Sequence, residues 1–193
     1  MDAVDVIRRL HEHRVWVNAQ LLDACASLDE VPLRQAFAIG QGSIWRSLLH
    51  LYAAEYVWLE ALLGNDDPLL PGDVPGELPG NQKATGGVTS LDDLRTKWAA
   101  LDSRWVALLA ALREDALADV VYKWSTSSGR GQRWGTTRGD VLLHVCTHAQ
   151  YTTAQIVNML RQSSVTALPD VMLISLARKQ LGRPAGAESS QPT

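Results

Sequence analysis

The segment that decides the fold covers residues 141–160, VLLHVCTHAQYTTAQIVNML, and it contains no Asp, Glu, Lys or Arg. Polar residues such as Gln150 and Asn158 make the segment too polar to span a membrane. A helix without charge on any face is expected to be buried on most sides. His144 and His148 lie four residues apart, so we expect both to project from one face into that interior.

Outward from this segment, apolar residues recur every three or four positions in three further stretches, which predicts helices. Ser43, Thr89 or Ser90, and Thr137 stand at N-cap positions, where a side-chain oxygen accepts from the first backbone N–H groups. A fifth, short helix is predicted near the end of the chain. The predicted helices cover residues 4–28, 43–64, 90–115, 137–160 and 168–181.

The connections between these helices differ in character. Residues 65–88 contain four prolines and five glycines, which predicts a long loop that crosses the bundle. Alternating residues within 119–136 predict a short β-hairpin before the last long helix. The order predicts an all-α fold, a four-helix bundle formed by residues 1–182 as one domain. The small, polar tail 183–193 is expected to be disordered.

The composition of the chain indicates which kinds of partner it binds and in which compartment it is found. The 193 residues carry a net charge of −3 with no basic cluster, which argues against nucleic acid. No window reaches 18 apolar residues and the N-terminus lacks a signal-peptide pattern, so a membrane partner is not expected. Cys25 and Cys146 fall in helical patterns as small core residues, without a disulfide. We therefore expect a cytoplasmic protein.

Three histidines lie in apolar helical segments: His50 in the second long helix, and His144 and His148 in the last. Neutral imidazoles that converge from two helices fit a metal site, and they equally fit a hydrogen-bonded core. The other two histidines, His11 and His13, are surrounded by charged residues and are interpreted as solvated. Glu55 follows His50 and is also interpreted as a surface residue.

The layout resembles the DinB family over roughly residues 3–181, through GSIWRSLLHLYAAEYVWLEALLG, the hairpin, and GDVLLHVCTHAQYTTAQI. In that family a histidine of the second helix binds metal, and His50 occupies the matching place. The family motif on the last helix reads His, three residues, His, then Arg-Gly-Gln. His148 matches the first ligand and Gln155 the glutamine, but Thr152 stands at the second ligand position and Thr153-Ala154 replaces Arg-Gly.

The resemblance implies an enzyme that uses a divalent metal, Zn²⁺ or Ni²⁺, as thiol transferases or hydrolase-type relatives do. His50 and His148 would hold the metal, with His144 or a water molecule completing the site. A substrate pocket for a small molecule would be formed by further residues of the same two helices. These are Thr152, Tyr151, Gln155 and Trp58.

A metal-free relative remains the alternative, because threonine is a poor substitute for imidazole on a transition metal. Such a protein would bind a small molecule or act as a dimeric scaffold. The resemblance also implies a homodimer. Several apolar residues off the His50 face support this expectation, unless the long loop and the terminal helix cover them within one chain. They are Trp45, Leu48, Leu51, Tyr52 and Leu62.

Overall fold

The computed structural model describes residues 1–163 and 165–182, and it has the predicted all-α bundle. Four long helices pack around one core: α1 contacts α4 and α5, and α3 contacts the same two helices. None of the helices in residues 1–163 and 165–182 combines the length and the hydropathy that a membrane span requires. The predicted disordered tail, 183–193, lies outside the described residues. In chain order the helices are α1 (Ala3–Cys25), α2 (Glu30–Arg34), α3 (Ile44–Leu62), α4 (Leu91–Ala110), α5 (Arg138–Gln162) and α6 (Leu173–Leu181).

The predicted caps begin three of the four long helices. Ser43, Ser90 and Thr137 each accept a hydrogen bond from the backbone N–H three residues later, at 3.1–3.2 Å. These bonds satisfy N–H groups that a helix leaves unpaired in its first turn. They fix where α3, α4 and α5 start, whereas the spacing of apolar residues decides which faces of these helices meet.

The predicted hairpin is confirmed as a two-stranded antiparallel sheet, β1 (Val120–Trp124) and β2 (Arg133–Thr137), preceded by a 3₁₀ turn (Glu114–Ala118). The pairing runs from Val120 opposite Thr137 to Trp124 opposite Arg133. Because Thr137 is both the last residue of β2 and the N-cap of α5, the hairpin is tied directly to α5. It therefore stands beside the face of α5 that carries His148.

Three element boundaries differ from the prediction by three residues or more. Helix α4 ends at Ala110 rather than at residue 115. Helix α1 ends at Cys25 rather than Leu28, and the short α2 follows it. Helix α6 begins at Leu173 rather than at residue 168. The carbonyl of Val171 accepts a hydrogen bond from His13 Nε2 at 3.0 Å, so this stretch is held extended against α1 instead of continuing the helix.

The interpretation of His11 and His13 as solvated is wrong. Only 1% of His11 and 5% of His13 are exposed. His11 donates from Nε2 to the carbonyl of Leu142 at 3.1 Å, which joins α1 to α5. Burial lowers the pKa of His11 to about 3, with Arg14 adding to the effect, so this ring is neutral at pH 7.

Glu55 is also buried, contrary to its assignment to the surface. Its carboxylate accepts from the guanidinium of Arg14, from Asn18 Nδ2 at 2.8 Å and from Trp98 Nε1 at 2.9 Å. Arg14 extends the network to Asp102 at 3.5 Å. Burial and the negative charge of Glu55 raise the pKa of Asp102 to about 7. This buried polar network joins α1, α3 and α4 inside the bundle.

Helix α5 is less buried than its composition suggested. Its exposed face carries no charge between positions 143 and 158, and it is the opposite side from the core. The absence of charge therefore does not reflect burial on every side. The exposed residues of this face are Leu143, His144, Thr147, Gln150, Tyr151, Ala154 and Asn158.

Candidate functional site

A cavity of about 440 Å³ opens between α3, α5 and the hairpin. We call it the histidine cavity. His50 and Trp58 enter it from α3, and His148 from α5, while the hairpin forms the opposite wall. The remaining wall is mostly apolar, with aromatic rings on both strands. The residues that line it include His50, Trp58, Leu78, Val121, Lys123, Trp124, Trp134, His144 and His148.

His50 and His148 meet edge to edge. Their Nε2 atoms lie 3.2 Å apart, and the ring centroids are 5.1 Å apart at an interplanar angle of 71°. His50 Nδ1 lies 2.9 Å from the carbonyl oxygen of Pro79, which accepts and does not donate. His50 is therefore protonated on Nδ1, and its Nε2 presents a lone pair to the cavity.

The long loop supplies the Pro79 carbonyl. A Cβ at Gly80 would lie 2.7 Å from the backbone of Leu49 and 2.8 Å from the Cα of His50, and Gly80 has φ of +85°. Only glycine allows the loop to approach α3 this closely. The buried Asp73 carboxylate accepts from the backbone N–H of Gly80 and of Gln82, at 2.7 and 2.9 Å, and so holds the turn in place.

The surroundings of His148 and His144 favour the neutral forms of these two imidazoles. Burial lowers the pKa of His148 to about 4, and the neighbouring His50 and His144 add to the effect. Burial also lowers the pKa of His144. Neutral imidazole is the form that ligates a metal, and His148 is in that form at neutral pH.

His144 and Trp58 lie at the mouth. The His144 ring is exposed and contacts Trp58 edge-on, with centroids 5.3 Å apart; its centroid is 5.8 Å from that of His148. The expectation that His144 projects into the interior is therefore wrong. Among the described residues, no group of three or more His, Cys, Asp or Glu side chains is arranged to hold a metal ion.

Three of the predicted pocket residues are not part of the cavity wall. Thr152 is buried, with 2% exposed, and Tyr151 is 69% exposed. Gln155 packs against the loop before α3, where a Cβ on Gly40 would lie 2.4 Å from its Oε1. The structure thus brings Trp58 to the two histidines and leaves Thr152, Tyr151 and Gln155 outside the lining.

Lys123 lines the cavity and was not predicted. Its Nζ lies 5.5 Å from the centre of a Trp58 ring and donates to the carbonyl of Trp124 at 3.0 Å. Burial lowers the pKa of this lysine. The signal was present in the sequence, because strand alternation puts Lys123 on the same face as Val121, which is buried.

Together, the fold and the cavity define a four-helix bundle with a two-histidine pocket between two of its helices. A model of the DinB superfamily matches residues 13–156, and the chain belongs to this superfamily. It is similar to Protein DinB of Bacillus subtilis (strain 168), with 26% identity over 167 residues, which cover 86% of this chain and 90% of that protein.

Proposed function

We propose that the histidine cavity is a small-molecule active site in which His50 and His148 bind a divalent metal ion, Zn²⁺ or Ni²⁺. The reaction class is group transfer or hydrolysis, with a thiol or water as nucleophile. The observation that carries this proposal is the 3.2 Å separation of the two Nε2 atoms. It is supported by the Pro79 carbonyl, which fixes the His50 tautomer by accepting a hydrogen bond from its Nδ1.

The two imidazoles fit such an ion. Nitrogens at about 2.0–2.1 Å from a tetrahedral Zn²⁺ lie about 3.3–3.4 Å from each other, close to the observed separation. Binding requires His148 to keep its proton on Nδ1 rather than on Nε2, which is a tautomer change without ring movement. Two protein ligands make a weak site, and they leave two positions for water and for a substrate atom.

A metal ion at this place would lower the pKa of a bound water or thiol and so supply the nucleophile. The chain's own residues would do the rest. Lys123 places a cation beside the cavity wall, where it stabilises negative charge that develops on the substrate. Trp58, Trp124 and Trp134 provide an apolar wall that positions the substrate and reduces access of water.

A second function is favoured by the same contact. Without metal, His148 Nε2–H donates to His50 Nε2, and this bond satisfies both Nε2 atoms. With threonine rather than histidine at position 152, the cavity would then serve as a metal-free binding site for a small molecule. The two functions differ in whether these histidines take up Zn²⁺ or Ni²⁺ at neutral pH.

Titration calorimetry with Zn²⁺ and Ni²⁺ on protein without a histidine tag separates the two functions. We expect one ion per chain, with binding abolished in His50→Ala and in His148→Ala. Gln150→Ala, on the exposed face of the same helix, should bind like the wild type. If His144→Ala also weakens binding, His144 supplies a third ligand. Absence of wild-type binding, or binding that survives both histidine substitutions, contradicts the metal site.

We also propose that the protein is a homodimer. The five apolar residues of α3 that motivated this expectation are all buried within one chain, so they no longer argue for it. The feature that favours a homodimer is the charge-free exposed face of α5, which includes Leu143 and Tyr151. An uncharged helix face pairs with its own copy across a two-fold axis without charge repulsion.

Light scattering tests the dimer. At micromolar concentration we expect a mass twice the 21.1 kDa of one chain. Tyr151→Glu places a charge at the centre of the proposed interface and should shift the mass to that of one chain, whereas Arg178→Glu on α6 should leave the dimer intact. A wild-type mass of a single chain excludes the dimer.

A further inference from the structure

A second, larger groove of about 830 Å³ adjoins the histidine cavity. It runs between the start of α3, the long loop and the hairpin turn. Four cationic side chains line it, together with a single carboxylate, that of Glu77. We call it the cationic groove; its cations are Arg34, Arg46, Lys83 and Arg130. A concave surface with this excess of positive charge concentrates anions.

Two of the four cations are already paired. Arg34 Nε lies 2.5 Å from Glu30, and Lys83 Nζ lies 2.6 Å from Glu77. In contrast, Arg46 and Arg130 form no ion pair with any carboxylate in residues 1–163 and 165–182. Both are exposed. Their guanidinium groups are therefore available to a ligand.

The cationic groove leads directly to the proposed active site. His50, Leu78, Pro79 and Thr126 line both the groove and the histidine cavity. Arg46 precedes His50 by four residues on α3, so both side chains lie on the same helix face, one turn apart. A ligand held at Arg46 would thus lie next to the imidazole that the Pro79 carbonyl orients.

We propose that the substrate of the histidine cavity is an elongated small molecule with an anionic end, a carboxylate or a phosphate. Arg46 and Arg130 bind this end in the cationic groove, and the apolar remainder extends past His50 into the histidine cavity. This proposal rests on the proposed function in that it takes the cavity as the small-molecule site. Guanidinium groups suit it because they bind both carboxylate and phosphate in two-point contacts.

Binding of three six-carbon probes tests the proposal: hexyl phosphate, hexanoate and 1-hexanol. Calorimetry on the wild type should show binding of at least one anion and much weaker binding of the alcohol. In Arg46→Gln/Arg130→Gln, affinity for the anion should fall about tenfold or more. The affinity of this double variant for 1-hexanol should equal that of the wild type. The better of the two anions identifies whether the natural group is a carboxylate or a phosphate.

A charge-matched control distinguishes binding by the groove arginines from an effect of the protein's net charge on anion affinity. Arg161→Gln/Arg178→Gln removes the same charge from exposed positions at the ends of α5 and α6, and should retain anion affinity. An equal loss in both double variants, or equal binding of hexanol and hexyl phosphate, overturns the proposal. Inorganic phosphate should bind more weakly than hexyl phosphate, because it has no apolar part to bury in the histidine cavity. Equal affinities of the two phosphates would contradict the proposal that one ligand occupies both the cationic groove and the histidine cavity.

The same variants distinguish this proposal from the metal site. Zn²⁺ affinity should be unchanged in Arg46→Gln/Arg130→Gln, since neither arginine is a ligand. If the wild type binds hexyl phosphate through these arginines but takes up no Zn²⁺, the metal proposal fails and the anion site stands. If Zn²⁺ binds and the anionic probes do not, the substrate class proposed here is wrong while the metal site is retained.

Discussion

Replacing Glu55 by alanine is expected to lower the free energy of unfolding by about 3–5 kcal/mol, because the substitution leaves a buried arginine without its counter-ion. Both Arg14 and Glu55 have only 1% of their side chains exposed. Asp102, the other carboxylate near Arg14, lies 3.5 Å away and is partly exposed. The substitution also removes the acceptor of Asn18 and Trp98.

Urea unfolding followed by circular dichroism measures this loss. The matched control is Glu60→Ala on the same helix, where the carboxylate pairs with the more exposed Arg104; we expect a cost below about 1 kcal/mol there. Arg14→Met combined with Glu55→Leu should be more stable than Glu55→Ala, since neither charge then remains buried. A loss at Glu55 no larger than that at Glu60 would show that the network contributes little.

The fold was predictable because local rules determine it. Ser43, Ser90 and Thr137 mark where helices start, and each does so through a short-range hydrogen bond that sequence alone implies. The spacing of apolar residues then determines which face of each helix is buried. The hairpin was predictable for the same reason, since its alternation needs no knowledge of distant residues.

The errors concern polar residues in buried positions. His11, Arg14 and Asn18 share the inward face of α1 with Ile7, and their spacing alone would have indicated burial. The charged neighbours of His11 led instead to its interpretation as solvated. Their partners come from other helices, such as Glu55 and the carbonyl of Leu142. A polar side chain is buried when a distant element offers a hydrogen bond, and no local pattern reveals that element.

The candidate site was predictable in part. Family motifs named His50 and His148, and the structure brings them within 3.2 Å. No motif indicated that the long loop would deliver the Pro79 carbonyl to His50, or that Arg130 from the hairpin turn and Arg46 would line one groove. These contacts depend on the path that the loops take across the bundle. Tertiary packing determines this path, and the spacing of residues in the sequence does not reveal it.

Thr152→His is expected to tighten binding of Zn²⁺ or Ni²⁺ at least about tenfold, because it adds a third imidazole and keeps one position open. Thr152 lies one turn after His148 on α5. Helical side chains lean toward the N-terminus of their helix, so an imidazole at this position reaches back toward His148. Thr152 itself, being shorter, stays outside the cavity wall.

Calorimetry on the wild type and the variant measures the gain in metal affinity. Thr153→His is the matched control: Thr153 is equally buried but lies about 100° further around the helix, so its imidazole would point away from the pair. Both substitutions enlarge a buried side chain and should cost about 1–3 kcal/mol of stability, which urea unfolding would register in each. Both variants therefore lose a similar amount of stability through overpacking, and they are expected to differ only in metal affinity. Equal affinities in the wild type and Thr152→His would mean that Thr152 does not stand at a ligand position, and the assignment carried over from the family motif would fail.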